Sequence, residues 1–258
     1  MPRSGFEVQK AAVKALFLRE MKTRFGKFRL GYLWAPLEPL FHMLVMITIF
    51  GYLMERTMPD ISFPVFFING VVPYLLFSHI SKRSISALES NKGLFNYRPV
   101  RPIDTIIART LLESFISGII YTLLMTLLWL IGEDIQLNNL LLLFSVWGLL
   151  IIFSFSVGLI FMVVSCLYPE TEKLIPIILR PLYFISCIMY SIHHIPVDYQ
   201  PYVLWNPIVH IVEISRECVV NSYKVDNVSI SYLASCTLVI LFFSLALYRT
   251  NEEVMLTS

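Results

Sequence analysis

Apolar residues run through this chain in stretches too long and too closely spaced for a water-soluble fold. A bilayer core about 30 Å thick is crossed by about 20 apolar helical residues at 1.5 Å each. Six stretches meet or approach that length: Trp34 to Met54, Phe63 to Ile80, Ile106 to Ile131, Leu140 to Leu167, Leu174 to Ile192 and Ile230 to Tyr248. The second is short and the fourth long, differences that tilt or an interfacial end absorbs. The fifth departs most from the pattern, since it contains Pro176, Arg180 and Pro181. Composition agrees: 57% of the 258 residues are hydrophobic and 15% charged, against about 25% charged in soluble domains. Only short polar breaks separate the stretches, so residues 33–258 read as one all-α membrane domain of six transmembrane helices, preceded by residues 1–32.

Positive charge orients the bundle. With residue 1 inside and six spans, one side receives Arg3, Lys10, Lys14, Arg19, Lys22, Arg24, Lys27, Arg29, Lys82, Arg83, Lys92, Arg98, Arg101, Arg109, Lys173, Arg180 and Arg249. The other keeps Arg56, Arg216 and Lys224, a division of 17 to 3 that puts both termini in the cytoplasm. A net charge of +2 gives no reason to expect nucleic acid as a partner. Met1 to Tyr32 carries charge throughout and lacks the apolar run of a signal peptide, so it is expected to stay on the protein.

Three segments outside the spans read as structured. Phe6, Val13, Phe17 and Met21 follow one helical face, interrupted by Lys10, and predict an interfacial helix on the inner leaflet. Ser90 to Asp104 mixes Leu94, Phe95 and Tyr97 with Arg98 and Arg101 and is broken by Gly93, Pro99 and Pro102, which predicts a short cytoplasmic helix or turn. In the external stretch His193 to Ser229, Asn206 suits a helix N-cap and Pro207 the first helical position. The apolar run that follows is too short to span and predicts a re-entrant or interfacial helix.

The sequence contains no GxxxxGK[ST], HExxH, GxSxG or CxxC motif, so no catalytic residue, metal ligand or cofactor of its own is expected. Cys166, Cys187, Cys218 and Cys236 are too scattered for a metal cluster and read as packing thiols, and His193 and His194 as an exposed pair. Glu38, Arg109, Glu113 and Arg180 are ionisable groups within apolar stretches, each costing about 2.5–3.5 kcal/mol at mid-helix unless watered, paired or near an end. Arg109 and Glu113, at i and i+4, can pair with each other; for Arg180 a snorkelling side chain and a water-lined conduit stand as equal readings. Tyr183, Phe184, Tyr190, Tyr199, Tyr202 and Trp205 crowd the external region, either as the aromatic belt of any membrane protein or as a surface on which sugar rings stack.

Longer blocks carry a resemblance. Leu18-Arg19-Glu20-Met21-Lys22-Thr23-Arg24-Phe25-Gly26 with Leu30-Gly31-Tyr32-Leu33-Trp34-Ala35-Pro36-Leu37-Glu38-Pro39 is similar to the entry segment of ABC-2-type polysaccharide exporter permeases. The loop from Gly93 to Asp104, the block from Arg180 to Tyr190, and Leu204 to His210 with Glu213 and Arg216 resemble the permeases of group 2 capsule systems, over the whole chain. The resemblance implies a homodimer bound to cytoplasmic ATPase subunits, which hold ATP and Mg. It also implies a lipid-linked acidic polysaccharide as cargo, a periplasmic co-polymerase or adaptor, and an outer-membrane channel.

The family's ATPase-docking helix falls here on Ser90 to Pro102, so Leu94, Phe95, Tyr97, Arg98 and Arg101 are the coupling candidates. Leu94, Phe95 and Tyr97 are expected to be exposed, with no core to enter. Six helices enclose too little for a hydrated sugar chain, so the conduit is expected between two copies. Arg24, Lys27, Arg29, Arg98, Arg101 and Arg180 would draw an anionic polymer to it or hold lipid headgroups, with Tyr183, Phe184 and Trp205 as aromatic candidates. Export of O-antigen or teichoic acid by the same architecture stands as the alternative, and behind it a membrane enzyme acting on lipid-linked sugar.

Overall fold

The computed structural model describes residues 5–25, 34–53, 58, 60–95 and 100–257, and these are almost entirely helical. Helix α1 is Gly5–Phe25, α2 Trp34–Ile47 with a π-helical continuation over Thr48–Leu53, α3 Phe63–Ile85, α4 Pro102–Ile131 and α5 Leu140–Leu167. Then follow α6 Thr171–Ile185, the single turn α7 Gln200–Val203, α8 Pro207–Val219 and α9 Ile230–Thr257. Among the described residues, α3, α4, α5 and α9 are each long and apolar enough to cross a membrane.

Local chemistry sets several of the ends. At α4, Pro102 occupies the first turn, where its missing N–H costs nothing, and the Asp104 carboxylate accepts the Arg101 amide at 2.9 Å. Asn139 Oδ1 accepts from the Leu142 amide and starts α5. Asn206 Oδ1 does the same for Ile208 at 3.0 Å, so α8 begins where the Asn-Pro pair predicts.

α6 differs from the expected fifth span. It ends at Ile185 rather than Ile192, because the Ser186 hydroxyl folds back on the Leu182 carbonyl and Cys187 takes the left-handed φ of 55°. Its 15 residues reach about 22 Å, well short of a bilayer core.

Burial ranks the helices. In α3, 89% of the most apolar stretch is buried, against 17% in α9. α3 is therefore the axis of the bundle and α9 its periphery. α5 can lie close against α3 because Gly158 has no side chain: a β-carbon there would stand 2.5 Å from Ser84 Oγ. In lipid, contacts of this kind supply the association that hydrophobic burial supplies in water.

The main core joins α2, α3, α4, α5 and α8 through residues such as Met43, Phe67, Leu124, Leu150 and Val212. A smaller core at the end where α1 lies is built from Ala87, Leu88, Ile106, Leu159, Met162, Val163, Tyr248 and Met255.

Candidate functional site

Two polar clusters occupy opposite ends of the bundle, both fastened to α3. At the α1 end the Glu113 carboxylate of α4 is 2% exposed. It lies 2.6 Å from Arg24 Nη1 of α1, 2.8 Å from Arg83 Nε and 3.6 Å from His79 Nδ1, the last two on α3. Arg109, one turn before, pairs with Glu20 of α1 at 2.8 Å and donates to the Arg83 carbonyl. The pairing of Arg109 with Glu113 read from their spacing is therefore corrected. Each instead reaches α1, whose Glu20 and Arg24 carry the opposite charges one turn apart.

The same helix grips the segment after α3. Gln9 donates to Asp104 at 3.1 Å, and Arg19 donates to Asn91 Oδ1 at 2.8 Å and to the Ser90 carbonyl at 3.0 Å. Glu89–Leu94 is a 3-10 helix, the short element expected there. Phe95 is not the exposed anchor read from sequence: it is half-buried against the smaller core, which the ends of α5 and α9 complete. Arg101 is exposed, 3.9 Å from Glu252. Tyr97, Arg98, Lys27 and Arg29 lie outside the described residues, as do the side chains of Leu94 and Glu38.

At the other end, Arg216 and Glu213 of α8 are fully buried and 3.0 Å apart. The Arg216 guanidinium lies 3.4 Å over the Phe66 ring. It donates to the Phe66 carbonyl of α3 at 3.3 Å and to the Cys187 and Ile188 carbonyls at 2.9 and 3.2 Å. Those last two belong to the turn that ends α6, whose backbone has no helical partners at that point. Arg216 thus satisfies carbonyls that are costly to leave bare away from water.

Glu213 is held from its far side by the Tyr223 hydroxyl at 2.7 Å, which in turn meets Ser191 at 2.8 Å. Burial, then the neighbouring Glu213 charge, push the Tyr223 phenol up, so it stays a neutral donor. Gly70 makes the crossing possible, since a β-carbon there would fall 2.7 Å from Arg216 Nη2 and 3.2 Å from the Ile188 carbonyl. Arg216, placed by the charge count with Arg56 and Lys224 on the external side, is thus a buried side chain rather than a loop charge. The available signal was two opposite charges at i and i+3 in the apolar run that follows Pro207.

His210, also on α8, ties the two flanking segments together. Its Nδ1 accepts the Ser229 amide at 3.0 Å, which leaves Nε2–H to donate to the Leu204 carbonyl at 2.8 Å. The ring is neutral in this arrangement, and burial lowers its pKa below the ordinary value of 6.5. A depressed folded-state pKa means that the unfolded chain binds the proton first. His210 thus contributes stability above about pH 6.5 that is lost as pH falls through the lower folded value. The thermal midpoint should drop between pH 7.5 and 5.5. His210→Leu should lose about 1–3 kcal/mol by leaving the Ser229 amide and Leu204 carbonyl unpaired, and should flatten the pH slope; an unchanged slope would remove His210 as its source.

The remaining candidates divide. Tyr183 is half-buried against Tyr74, ring centroids 5.2 Å apart, whereas Phe184 is 62% and Trp205 72% exposed. Trp205 stacks edgewise with Tyr202 at 6.0 Å, and its carbonyl accepts the Tyr232 hydroxyl. Arg180 is exposed on α6 beside an apolar face of Leu174, Ile177, Ile178, Phe184 and Ile185.

The short helices α6 and α8 packed on the buried axis α3, with α1 clamped at the opposite end, make this an all-helical membrane protein. The chain belongs to the ABC-2 type transporter family, whose pattern it matches over residues 11–220. It is 63% identical, over all 258 residues of both chains, to the polysialic acid transport protein KpsM of Escherichia coli. It is 28% identical to the capsule polysaccharide export inner-membrane protein CtrC of Neisseria meningitidis, over 93% of this chain and 91% of that one. Identity is 22% to the O-antigen export system permease RfbA of Klebsiella pneumoniae, over 88% of this chain and 87% of that one.

Proposed function

We propose that this chain is the inner-membrane permease of an ATP-driven exporter that carries a lipid-linked, acidic capsular polysaccharide out of the cell. It works as a homodimer with separate ATPase subunits. The observation that carries the reading is the 63% identity to a polysialic acid transport protein along the full length of both chains. The 22% identity to an O-antigen permease makes that cargo the second reading. A membrane enzyme is disfavoured, because the buried acid Glu213 is already taken up by Arg216 and Tyr223.

We orient the α1 end toward the cytoplasm on the charge division. Removing buried Arg216 from the external set sharpens that division further. ATP and Mg are held by the partner, whose cycle acts on residues 89–104; a periplasmic adaptor and an outer-membrane channel take the polymer onward. The exposed stripe of α6 with Arg180 and Phe184 would face its counterpart in a second copy and border the conduit. Arg24 is engaged with Glu113, so of the cationic candidates described, Arg101 and Arg180 are the exposed ones.

The test uses cells that make capsule but lack their own permease. This chain, supplied with the cognate ATPase, should restore surface capsule; polymer that stays inside the cell would overturn the reading. In complexes purified from the same cells, Tyr97→Ala with the exposed Arg101→Ala should weaken ATPase retention about thirtyfold, the effect of losing about 2 kcal/mol at an interface anchor. The purified permease should remain folded. Normal retention and normal export would take residues 94–101 out of the docking surface.

A further inference from the structure

α3 is joined to something at each end. Beyond Ile85 a turn over residues 86–88 leads into the 3-10 segment, with the Ala87 amide donating to the Ser84 carbonyl, Ser90 to Ser86 and Asn91 to Leu88. The segment that receives the ATPase in the proposed function is thus tied by short-range hydrogen bonds to the end of the axial helix. At the far end the Phe66 carbonyl and ring are held by Arg216 of α8, which also binds the turn at Cys187 and Ile188.

Pro73, which lacks an N–H, is the weak point between, and it is braced on both sides. Before it, Tyr121 donates to Asn69 and Asn69 donates to the Val65 carbonyl, both at 2.8 Å; after it, the Tyr74 hydroxyl donates to the Leu179 carbonyl of α6.

We propose that Arg216, held by Glu213, is the positioning residue that makes the external helix α8 and the end of α6 move with α3, so that displacement of residues 89–95 reaches the external side as motion of α8. The inference rests on the export reading. The choice of arginine supports it. One planar guanidinium stacks on Phe66 while meeting three carbonyls and a carboxylate, and an ammonium cannot fill those roles at once. Packing alone would not need the pair, since apolar side chains of similar volume fill such sites at least as well. What apolar side chains cannot supply is directional bonds from α8 to two other backbone segments. Tyr223 and Ser191 fix the carboxylate, and Gly70 leaves no slack around the fork.

The experiment uses the full chain with its ATPase in membrane vesicles. Cys166 and Cys236 are replaced by serine, and an environment-sensitive fluorophore is placed on Asn221→Cys, an exposed position just after α8. In this parent, Mg and ATP should shift the fluorescence. With Glu213→Leu and Arg216→Met added, ATP hydrolysis should stay within about twofold while the shift disappears and export falls at least tenfold; Arg216→Lys should restore neither fully. A merely structural pair would lower hydrolysis, shift and export together, or leave all three intact, and either result overturns the proposal.

Should the double variant fail to fold, Tyr223→Phe, which loosens only Glu213, decides. A smaller shift at unchanged hydrolysis supports the inference, and an unchanged shift with full export overturns it. A parent that retains no ATPase sinks the export reading and this inference with it, whereas a responsive parent whose variants respond equally sinks the inference alone.

Discussion

Replacing Arg216 with leucine is expected to destabilise the protein by about 3–5 kcal/mol, the cost of leaving one member of a buried ion pair without the other. Glu213 would remain fully buried with Tyr223 as its main donor, and the carbonyls of Cys187 and Ile188 would lose their partner. For a chain of this size about 2–4 °C accompanies each kcal/mol, so the thermal midpoint should fall by roughly 10 °C. Removing both charges, as Glu213→Leu with Arg216→Met, should recover most of that loss, because the desolvation cost of the carboxylate goes with it. Midpoints of the purified single and double variants check this. A single variant as stable as the double would mean that water reaches the pair.

Export, rather than stability, is where Arg180→Leu should act. Arg180 lies nine residues into α6, about 14 Å along the axis from the helix start. It is exposed in the single chain, beside Ile177 and Phe184. An arginine facing lipid at such depth costs about 2.5–3.5 kcal/mol, a cost avoided where the face borders water. Under the proposed dimeric conduit, Arg180→Leu should cut surface capsule at least tenfold with ATPase retention unchanged. Arg180→Lys should keep part of the export, because the charge remains while the fork is lost. Full export by Arg180→Leu would return the side chain to an anchoring role at headgroups.

Much of the architecture follows from residue order alone. Apolar length marks α3, α4, α5 and α9, because a helix that shields its own backbone is what a run of that length forms in lipid. Asn206 and Pro207 mark the start of α8, since capping is decided within one turn. Reasoning from neighbours in sequence failed where distant segments meet. Arg109 and Glu113 seemed a self-sufficient pair, yet each is matched by a side chain about ninety residues earlier on α1. Phe95 seemed unhoused because its core is assembled from the ends of α5 and α9. α6 stops seven residues before the apolar run does, because the chain turns at Ser186 and Cys187 onto α8.

The sequence by itself determined that the chain is a helical membrane protein, where most helices lie, and which end is rich in positive charge. These properties depend on the length, periodicity and sign of contiguous residues. Only the tertiary structure decided that Arg216 is a buried joint rather than a loop charge. The role of a charge is set by what surrounds it, and here Phe66, Cys187, Ile188 and Glu213 come together from three separate parts of the chain.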